Sequence, residues 1–470
     1  MSHNGRSAVA AHLMESLWEA PEPSDVRRAR GKALRKTVPR STLATRCSDA
    51  RSPIEILDKQ NSTRVQSLIP MRMERTSASP FAYFRGTAAV MAADLAKDPT
   101  TGLQVASCGD AHITNFGFYA SPQRTLVFDL NDFDEAAWSP WEWDLKRLVT
   151  SIVIGGRDAG RSDDIIRQGA TAAVLAYARV LALTTKMSPY DRYFASLNAD
   201  AAMDEMDPES RRVFDDAIAK AQKRTEARAA KKLTHADENG NLQFNENPPT
   251  MTHLAERGER SASDNIVKLL RSVRPDIAQL LRNYTLVDVC RRVVGVGSVG
   301  TECFLLLLQD GDKNGFILQP KQAMKSVLEE FGGITQPEVL NKYVDKHGEG
   351  GRVVAMQQIL QSVSDPFLGH IQLADIDLYV RQFHDMKGGI DVNSLTDEPF
   401  LSYSKACAVA LGRAHSQSPN STEISGYVGS GKALSKAIVS WAYEYAEQNE
   451  KDFEAFVEYC KTQDVAPAGE

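Results

Sequence analysis

The alternation of apolar and polar residues is clearest in two short runs in the first third of the chain. Phe116–Ala120 and Arg124–Leu130 each predict a β-strand, and Ser121-Pro122-Gln123 between them supplies the turn signals of a hairpin. A cluster of acids closes the second run: Asp129, Asp132, Asp134 and Glu135. Because Asp is a poor strand and helix former, this cluster indicates either chemistry or turn capping.

A second β-rich stretch follows between residues 286 and 390. Its β-like runs are Arg292–Val294, Cys303–Gln309, Phe316–Pro320 and Leu378–Phe383. Helical patterns dominate elsewhere: Ile54–Gln66, an Ala-rich segment after Ser79-Pro80, Asp163–Lys186, Val353–Val363, Ser404–His415 and Ala433–Tyr459. The pattern predicts an α+β protein with a helical part and a smaller sheet.

We predict four regions: a basic N-terminal arm (1–75), a helical lobe (76–285) with an insertion at 187–260, a β-rich lobe (286–390), and C-terminal helices (391–470) packed on the helical lobe. The arm is either a solvated segment or a strap that lends Arg or Lys to phosphates. The insertion is polar, and we expect solvated helices and loop there.

Composition sets the broad class. The chain has 470 residues, of which 42% are hydrophobic and 25% charged, with a net charge of −6. This is typical of a soluble globular protein, and nothing in it favours nucleic acid or an anionic membrane as a partner. Six scattered cysteines without a C-x-x-C pair favour a reducing compartment. Without an apolar signal core or a run that could span a bilayer, we expect a cytoplasmic protein.

The segment before the hairpin reads G-D-A-H-I-T-N, and its spacing suggests phosphoryl transfer. Asn115 lies five residues after Asp110, which is the separation of base and metal ligand in protein kinases and antibiotic phosphotransferases. We predict Asp110 as the catalytic base, and Asn115 with either Asp129 or Asp132 as the ligands of Mg²⁺. Spacing alone does not choose between the two acids. The alternative is a hairpin with an acidic tip.

The β-rich stretch carries candidates for nucleotide binding. Gly295, Gly297 and Gly300, with Ser298 between them, form G-x-G-x-x-G. A dinucleotide site would need a helix after the glycines, whereas here they lie between two β-like runs, the layout of a kinase loop that covers phosphates. The alternative is a tight hairpin with a bulge.

Lys321 ends the next β run, and a helical segment with Glu329 and Glu330 follows. We predict that Lys321 holds the α- and β-phosphates and that one of the two glutamates anchors it. The alternative for Lys321 is an exposed lysine at a strand end. These elements come after the catalytic loop, the reverse of the order in kinases. The sequence therefore predicts a circularly permuted two-lobe kinase-like fold.

The motifs together resemble the bacterial family called domain of unknown function 2252. They are C-G-D-A-H-I-T-N-F-G, F-D-L-N-D-F-D-E-A, W-E-W-D-L-K-R-L, V-V-G-V-G-S-V-G-T and Y-V-R-Q-F-H-D-M-K. The resemblance spans about Gly31 to Asp452 and implies a kinase-like fold. By similarity to antibiotic phosphotransferases, Asp144 is expected to tie down the catalytic loop; the alternative is an acid near a helix N-terminus. One departure is the tripeptide Asp132-Phe133-Asp134, which lacks the glycine of the kinase metal motif.

These inferences predict an ATP- and Mg²⁺-dependent phosphotransferase that acts on a hydroxyl of an unidentified small-molecule or protein acceptor. Two alternatives remain. The same scaffold would transfer an AMP group if the nucleotide bound in the reverse direction, or it would act as a nucleotide-binding pseudokinase. The sequence shows no signature of the acceptor.

Overall fold

The computed structural model describes residues 22–47, 51–195, 206–254, 265–383 and 386–463, and it is a mixture of helix and sheet. Within these ranges the α-helices, in chain order, are α1 Ser24–Ala33, α2 Pro53–Asn61, α3 Ile69–Thr76, α4 Pro80–Gly86, α5 Ala88–Leu95, α6 Trp141–Asp158, α7 Asp163–Thr184, α8 Pro189–Phe194, α9 Pro208–Gln222, α10 Glu226–Leu233, α11 Pro275–Leu281, α12 Val327–Glu330, α13 Glu338–Leu360, α14 Asp397–Ser416, α15 Ser421–Val428 and α16 Lys432–Thr462. Residues 265–272 are also helical. No helix in the described ranges is long and apolar enough to cross a membrane.

The strands are β1 Gln104–Ser107, β2 Phe116–Ala120, β3 Leu126–Leu130, β4 Ala137–Pro140, β5 Thr234–Ala236, β6 Leu242–Phe244, β7 Met251–His253, β8 Thr285–Arg292, β9 Phe304–Gln309, β10 Gly315–Ala323, β11 Gly369–Gln372 and β12 Asp377–Gln382. Three pairs form two-stranded sheets: β1 with β4, β2 with β3, and β5 with β6. The other six form one antiparallel sheet in the order β11-β12-β10-β9-β8-β7.

Helix α6 is the centre of the helical part. Its residues from Trp141 to Gly156 are all buried. A helix that is buried on every side needs neighbours all round. Helices α7, α14 and α16 contribute to the same hydrophobic core.

The six-stranded sheet is covered on both faces. In β9, Leu306 and Leu308 pack with the 265–281 helices, while Leu305 and Leu307 pack under α10 and β6. Successive side chains of a strand point to opposite faces, so a run of four leucines is buried on both sides. The same alternation places Gln319 and Lys321 of β10 on one face, opposite Arg381 and Tyr379 of β12.

The observed elements differ from the predicted ones in several places. The Ala-rich segment is two helices, α4 and α5, because Thr87 between them leaves the helical conformation (φ −122°, ψ 38°). The strand before the glycines is β8, Thr285–Arg292, which lies earlier in the chain than the predicted run Arg292–Val294 and shares only Arg292 with it. Within the range predicted as a solvated insertion, β7 pairs with β8 and extends the large sheet.

The basic residues of the arm cap a helix. Arg35 donates to the carbonyls of Gly426 and Tyr427, and Arg40 donates to that of Val428, at the C-terminal end of α15. Cations at this end of a helix satisfy its last carbonyls and oppose its dipole. This part of the arm therefore packs on the helical core and does not reach the cleft described below.

Candidate functional site

The G-D-A-H-I-T-N loop is fixed to α6 by hydrogen bonds. The carboxylate of Asp144 in α6 accepts hydrogen bonds from the backbone nitrogens of Cys108 (2.8 Å) and Gly109 (3.0 Å). His415 Nε2 lies 3.2 Å from the same carboxylate, and Tyr177 bonds the other ring nitrogen of His415 (2.8 Å). Asp144 thus ties down the loop, as predicted.

Asp110 projects from this loop into a cleft. Arg147 Nε donates to its Oδ1 at 2.5 Å, and its side chain keeps 20% of its surface exposed. Burial raises the pKa of Asp110 above its usual range, and the charge of Arg147 opposes that rise. A partly exposed carboxylate at the wall of a cleft can accept a proton from a group bound there.

The Asn115 amide nitrogen donates to the Asp110 carbonyl at 2.7 Å. This bond leaves the amide oxygen as the atom that can bind a cation. Both Asn115 and Asp132 line the cleft. Burial, and then the nearby charge of Asp134, raises the pKa of Asp132, and a bound cation would relieve both effects.

Asp129 does not take part in this cleft. It is 1% exposed, and its two carboxylate oxygens accept from the backbone nitrogens of Leu130 and Ser362, each at 2.9 Å. As the last but one residue of β3, it points into the protein beneath the strand. Of the two predicted alternatives for the metal ligand, the structure therefore leaves Asp132.

The residues present fit a magnesium–nucleotide complex in the chemistry of their donors. Within the described ranges, no group of three or more His, Cys, Asp or Glu side chains is arranged to hold a metal by itself. Magnesium in nucleotide sites takes only one or two carboxylates and completes its shell with water and phosphate oxygens. Asp132 and the Asn115 amide oxygen supply hard oxygen donors of this type.

The glycine loop forms the opposite wall of the same cleft. Gly295, Gly297 and Ser298 line it together with Asp110, Asn115 and Asp132. Gly295 (φ +74°) and Gly300 (φ +88°) adopt left-handed conformations that other residues rarely accept. Gly300 itself lies outside the lining.

The loop is fastened by the segment that follows α2. Arg64 Nη1 donates to the Val299 carbonyl (2.7 Å), the Val65 nitrogen donates to the Gly300 carbonyl (2.8 Å), and Arg75 donates to the Gly295 carbonyl (2.8 Å). Lys59 and Arg64 also line the cleft. The end of the predicted arm thus contributes cations to the site, although its basic run at 27–40 does not.

The predicted partner of Lys321 is wrong. Its Nζ lies 2.6 Å from Asp134 Oδ2, and the Tyr379 hydroxyl donates to the other oxygen of Asp134 at 2.6 Å. Neither Glu329 nor Glu330 is its anchor: Glu330 lines the cleft and pairs with Lys59 (3.2 Å), and Glu329 lies outside the lining. The segment Asp132–Glu135 after β3, called the acid loop below, passes beneath β10 and β12. The Asp134 carboxylate therefore lies beside Lys321 in the position predicted for a glutamate.

Lys321 is 3% exposed and is not on the wall of the cleft. Burial alone would lower its pKa, but the charge of Asp134 raises it well above its usual range. Lys321 is therefore the buried partner of an ion pair with the partly exposed Asp134, and this pair joins the sheet to the acid loop.

A comparison with protein families matches residues 64–459 to the family described as "Uncharacterized protein conserved in bacteria (DUF2252)". The chain belongs to this family. The family resemblance of the motifs is thus confirmed. Comparisons with curated proteins and with solved structures found no match.

Two further residues complete the site of this DUF2252 protein. Arg352 of α13 is fully buried and donates to the carbonyls of Asp134 (3.0 Å), Ala136 (2.5 Å) and Met324 (2.6 Å). It locks the acid loop to the end of β10. Its Nε also pairs with Glu349, three residues earlier in α13, but the carbonyls that it binds are more than 20 residues away, so no local pattern predicts this role.

Arg85, at the end of α4, lines the cleft beside Asp110. Its Nε is buried without a hydrogen-bond partner among the described residues. Burial lowers the pKa of Arg85, and the charges of Asp110 and Asp132 oppose this change. A guanidinium with a free donor in a cleft is suited to an incoming anion.

Proposed function

We propose that this protein is an ATP- and Mg²⁺-dependent phosphotransferase with a circularly permuted, two-lobe kinase-like fold, acting on a hydroxyl of an acceptor. One observation carries the proposal. Asp110, Asn115 and Asp132 share one cleft with Gly295, Gly297 and Ser298, although more than 160 residues separate the two groups. Phosphoryl transfer requires base, metal ligands and phosphate-covering loop around one phosphate group.

In this proposal Asp110 accepts the proton of the acceptor hydroxyl, and Asn115 and Asp132 hold the metal. Magnesium, when bound, neutralises charge on the nucleotide phosphates. The backbone of Gly295–Ser298 covers the phosphates, and Arg85 binds the oxygens of the group in transit. Lys321 acts as the link between sheet and acid loop through Asp134.

The acid loop supports a further aspect of the proposal. Asp132 lies at the tip of the loop, and Asp134, two residues on, holds Lys321. The two acids of the tripeptide Asp132-Phe133-Asp134 thus have different roles in this proposal. Asp132 faces the cleft as metal ligand, and Asp134 occupies the place that the sequence analysis assigned to a glutamate of the following helix.

The test is incubation of the full chain with Mg²⁺ and ATP labelled at either the α- or the γ-phosphate, with a metabolite extract as acceptor pool. The proposal requires acceptor labelled from the γ-phosphate, and its loss in Asp110→Asn. A surface carboxylate on the β9–β10 turn provides the control variant, Asp312→Asn, which should keep full transfer.

Two outcomes would replace the proposal. Products labelled from the α-phosphate would establish AMP transfer. Saturable ATP binding without turnover, unchanged between the wild type and Asp110→Asn, would establish a pseudokinase.

A further inference from the structure

The cleft lined by Asp110 and Gly295 is called the glycine cleft below. A second cavity lies beneath the face of the six-stranded sheet that carries Gln319 and Lys321. It has a volume of 210 Å³, more than ten times what one water molecule needs by the usual estimate of about 10–15 Å³. It shares no lining residue with the glycine cleft. Gln319 and Arg381 line it, and two residues further along the same two strands are Lys321 and Tyr379, which hold Asp134 at the glycine cleft.

Three cations converge on this cavity: Arg292 at the end of β8, Arg381 in β12, and Lys387. The Nη1 atom of Arg292 is buried and has no hydrogen-bond partner among the described residues. The Arg292 guanidinium lies 4.8 Å from the centre of the Phe383 ring, which fixes its plane. Arg381 bonds Gln319 through Nε (3.1 Å), and its two terminal nitrogens make no hydrogen bond to another described residue.

The carboxylates nearby are already engaged or lie on the other side. Asp365 lines the cavity, where it accepts from the backbone nitrogens of Gln382 (2.7 Å) and Phe367 (2.8 Å). Asp132 and Asp134 line the glycine cleft, and Asp134 is bonded to Lys321. Among the described residues, no ion pair inside the cavity balances the charge of the three cations, although the charges of Asp132 and Asp134 act on Arg381 and Lys387 from the glycine cleft.

The cost of bringing these cations together falls mainly on Lys387, because like charges repel and burial adds to the cost, whereas the charges of Asp132 and Asp134 favour the charged form of Arg381. The neighbouring charge of Arg381, followed by burial, lowers the pKa of Lys387 to about 7. A group with negative charge would remove the repulsion and restore the lysine proton.

We propose that the second cavity is a binding site for a phosphate-bearing anion, with Arg292, Arg381 and Lys387 as its ligands. Two guanidinium groups and an ammonium exceed the charge of a single carboxylate, whereas they match a phosphate or pyrophosphate group, whose oxygens accept paired bonds from arginine. The site does not depend on the function proposed above. The phosphate comes either from the phosphate chain of a nucleotide bound in the reverse direction or from a separate phosphorylated ligand.

The test uses inorganic pyrophosphate and isothermal titration calorimetry on the full chain at pH 7, with EDTA and no magnesium. Both sites are lined by cations, so variants of Arg85 in the glycine cleft and of Arg292 in the second cavity show which of the two takes the anion. We expect saturable binding, weakened roughly tenfold or more in Arg292→Gln and in Lys387→Gln, since each loses a charge-assisted hydrogen bond. Arg85→Gln, which removes a cation from the glycine cleft, should bind as the wild type does.

Thermal unfolding shows whether each variant is folded, and a variant that does not unfold cooperatively is replaced by Arg292→Lys, which keeps the charge and loses the fork. Absence of saturable binding to the wild type would overturn the proposal. So would an affinity that falls in Arg85→Gln and is unchanged in Arg292→Gln.

A competition arm identifies the source of the phosphate. If ATP and pyrophosphate exclude each other and Arg292→Gln weakens both, the site takes the phosphate chain of the nucleotide. If both bind at once, with ATP affinity unchanged in Arg292→Gln, the site takes a separate phosphorylated ligand.

Discussion

The glycine cleft and the second cavity lie under one face of one sheet, yet the charged groups that line them differ. The cleft combines carboxylates with cations, and burial raises the pKa of Asp110, Asp132 and Glu135 there. The cavity is lined by Arg292, Arg381 and Lys387, and the pKa of Lys387 is lowered. The Lys321–Asp134 ion pair lies between them. The ligands that we propose differ accordingly: a complex of metal and nucleotide in the cleft and an anion without metal in the cavity.

The largest expected effect is on catalysis in the cleft. Asp110→Asn removes the proposed base and should reduce γ-phosphate transfer by about 10²–10⁴-fold, the usual contribution of such a group. The variant should unfold at a temperature no lower than the wild type, because burial already disfavours the charged carboxylate. Transfer that persists at the wild-type rate would remove Asp110 from the mechanism.

Glu135 tests the carboxylates of the glycine cleft through the pH dependence of the free energy of unfolding. Burial raises its pKa to about 7, although the Val327 nitrogen donates to its carboxylate at 2.8 Å. A carboxyl group with a folded-state pKa above its unfolded value stabilises the protein fully below the unfolded pKa of about 4.3, and this contribution is lost as pH rises through 7. Glu135→Gln, which mimics the protonated form, should therefore gain on the order of 2–3 kcal/mol over wild type above pH 7 and nothing at pH 4.

Urea unfolding at pH 4, 6 and 8 measures this difference. The exposed Glu398→Gln should show no such trend and serves as the control. A gain at pH 4 equal to that at pH 8 would show that the effect is not one of ionisation.

Lys387 tests the second cavity through the pH dependence of anion binding. Here a lysine must gain a proton when the ligand binds. Its neighbours are Arg381, Asp132, Lys321 and Asp134, and Arg292 and Asp365 line the same cavity. A bound anion raises the lysine pKa from about 7, so affinity for pyrophosphate should fall as pH rises above 7, by up to about tenfold per unit. Titrations in buffers of different ionisation enthalpy should show proton uptake. Lys387→Gln corrects for protonation of pyrophosphate itself, and an identical pH profile in this variant would contradict the assignment.

The smallest effect expected is a shift in thermal unfolding. ATP with Mg²⁺ should raise the midpoint by a few degrees, as any ligand that binds only the folded state does. The shift should vanish in Asn115→Ala and Asp132→Asn and persist in Asp129→Asn, provided that the last variant folds. An equal shift without Mg²⁺ in all of them would show that these residues do not hold a metal.

The sequence by itself determined the elements whose signals are local. The β2–β3 hairpin followed from two apolar runs around a turn, because a hairpin depends on neighbouring residues. The glycine loop between two strands was also predicted from a short motif, and the similarity to antibiotic phosphotransferases led us to expect Asp144 beneath the G-D-A-H-I-T-N loop. Such features need only the chain within a few tens of residues.

Only the tertiary structure decided which acids work together. Asp129 and Asp132 are equivalent in spacing, and the packing of Ser362 against Asp129 separates them. Lys321 meets Asp134, 187 positions earlier, before it meets the glutamates beside it in sequence. Arg64 and Arg352 reach the site from distant segments. Arg381 and Lys387 belong to the motif Y-V-R-Q-F-H-D-M-K, but only the fold places Arg292 beside them in one cavity. Ion pairs and hydrogen bonds depend on the distance between two groups in space. For groups far apart in the sequence, that distance is set only when the helical part and the sheet pack together.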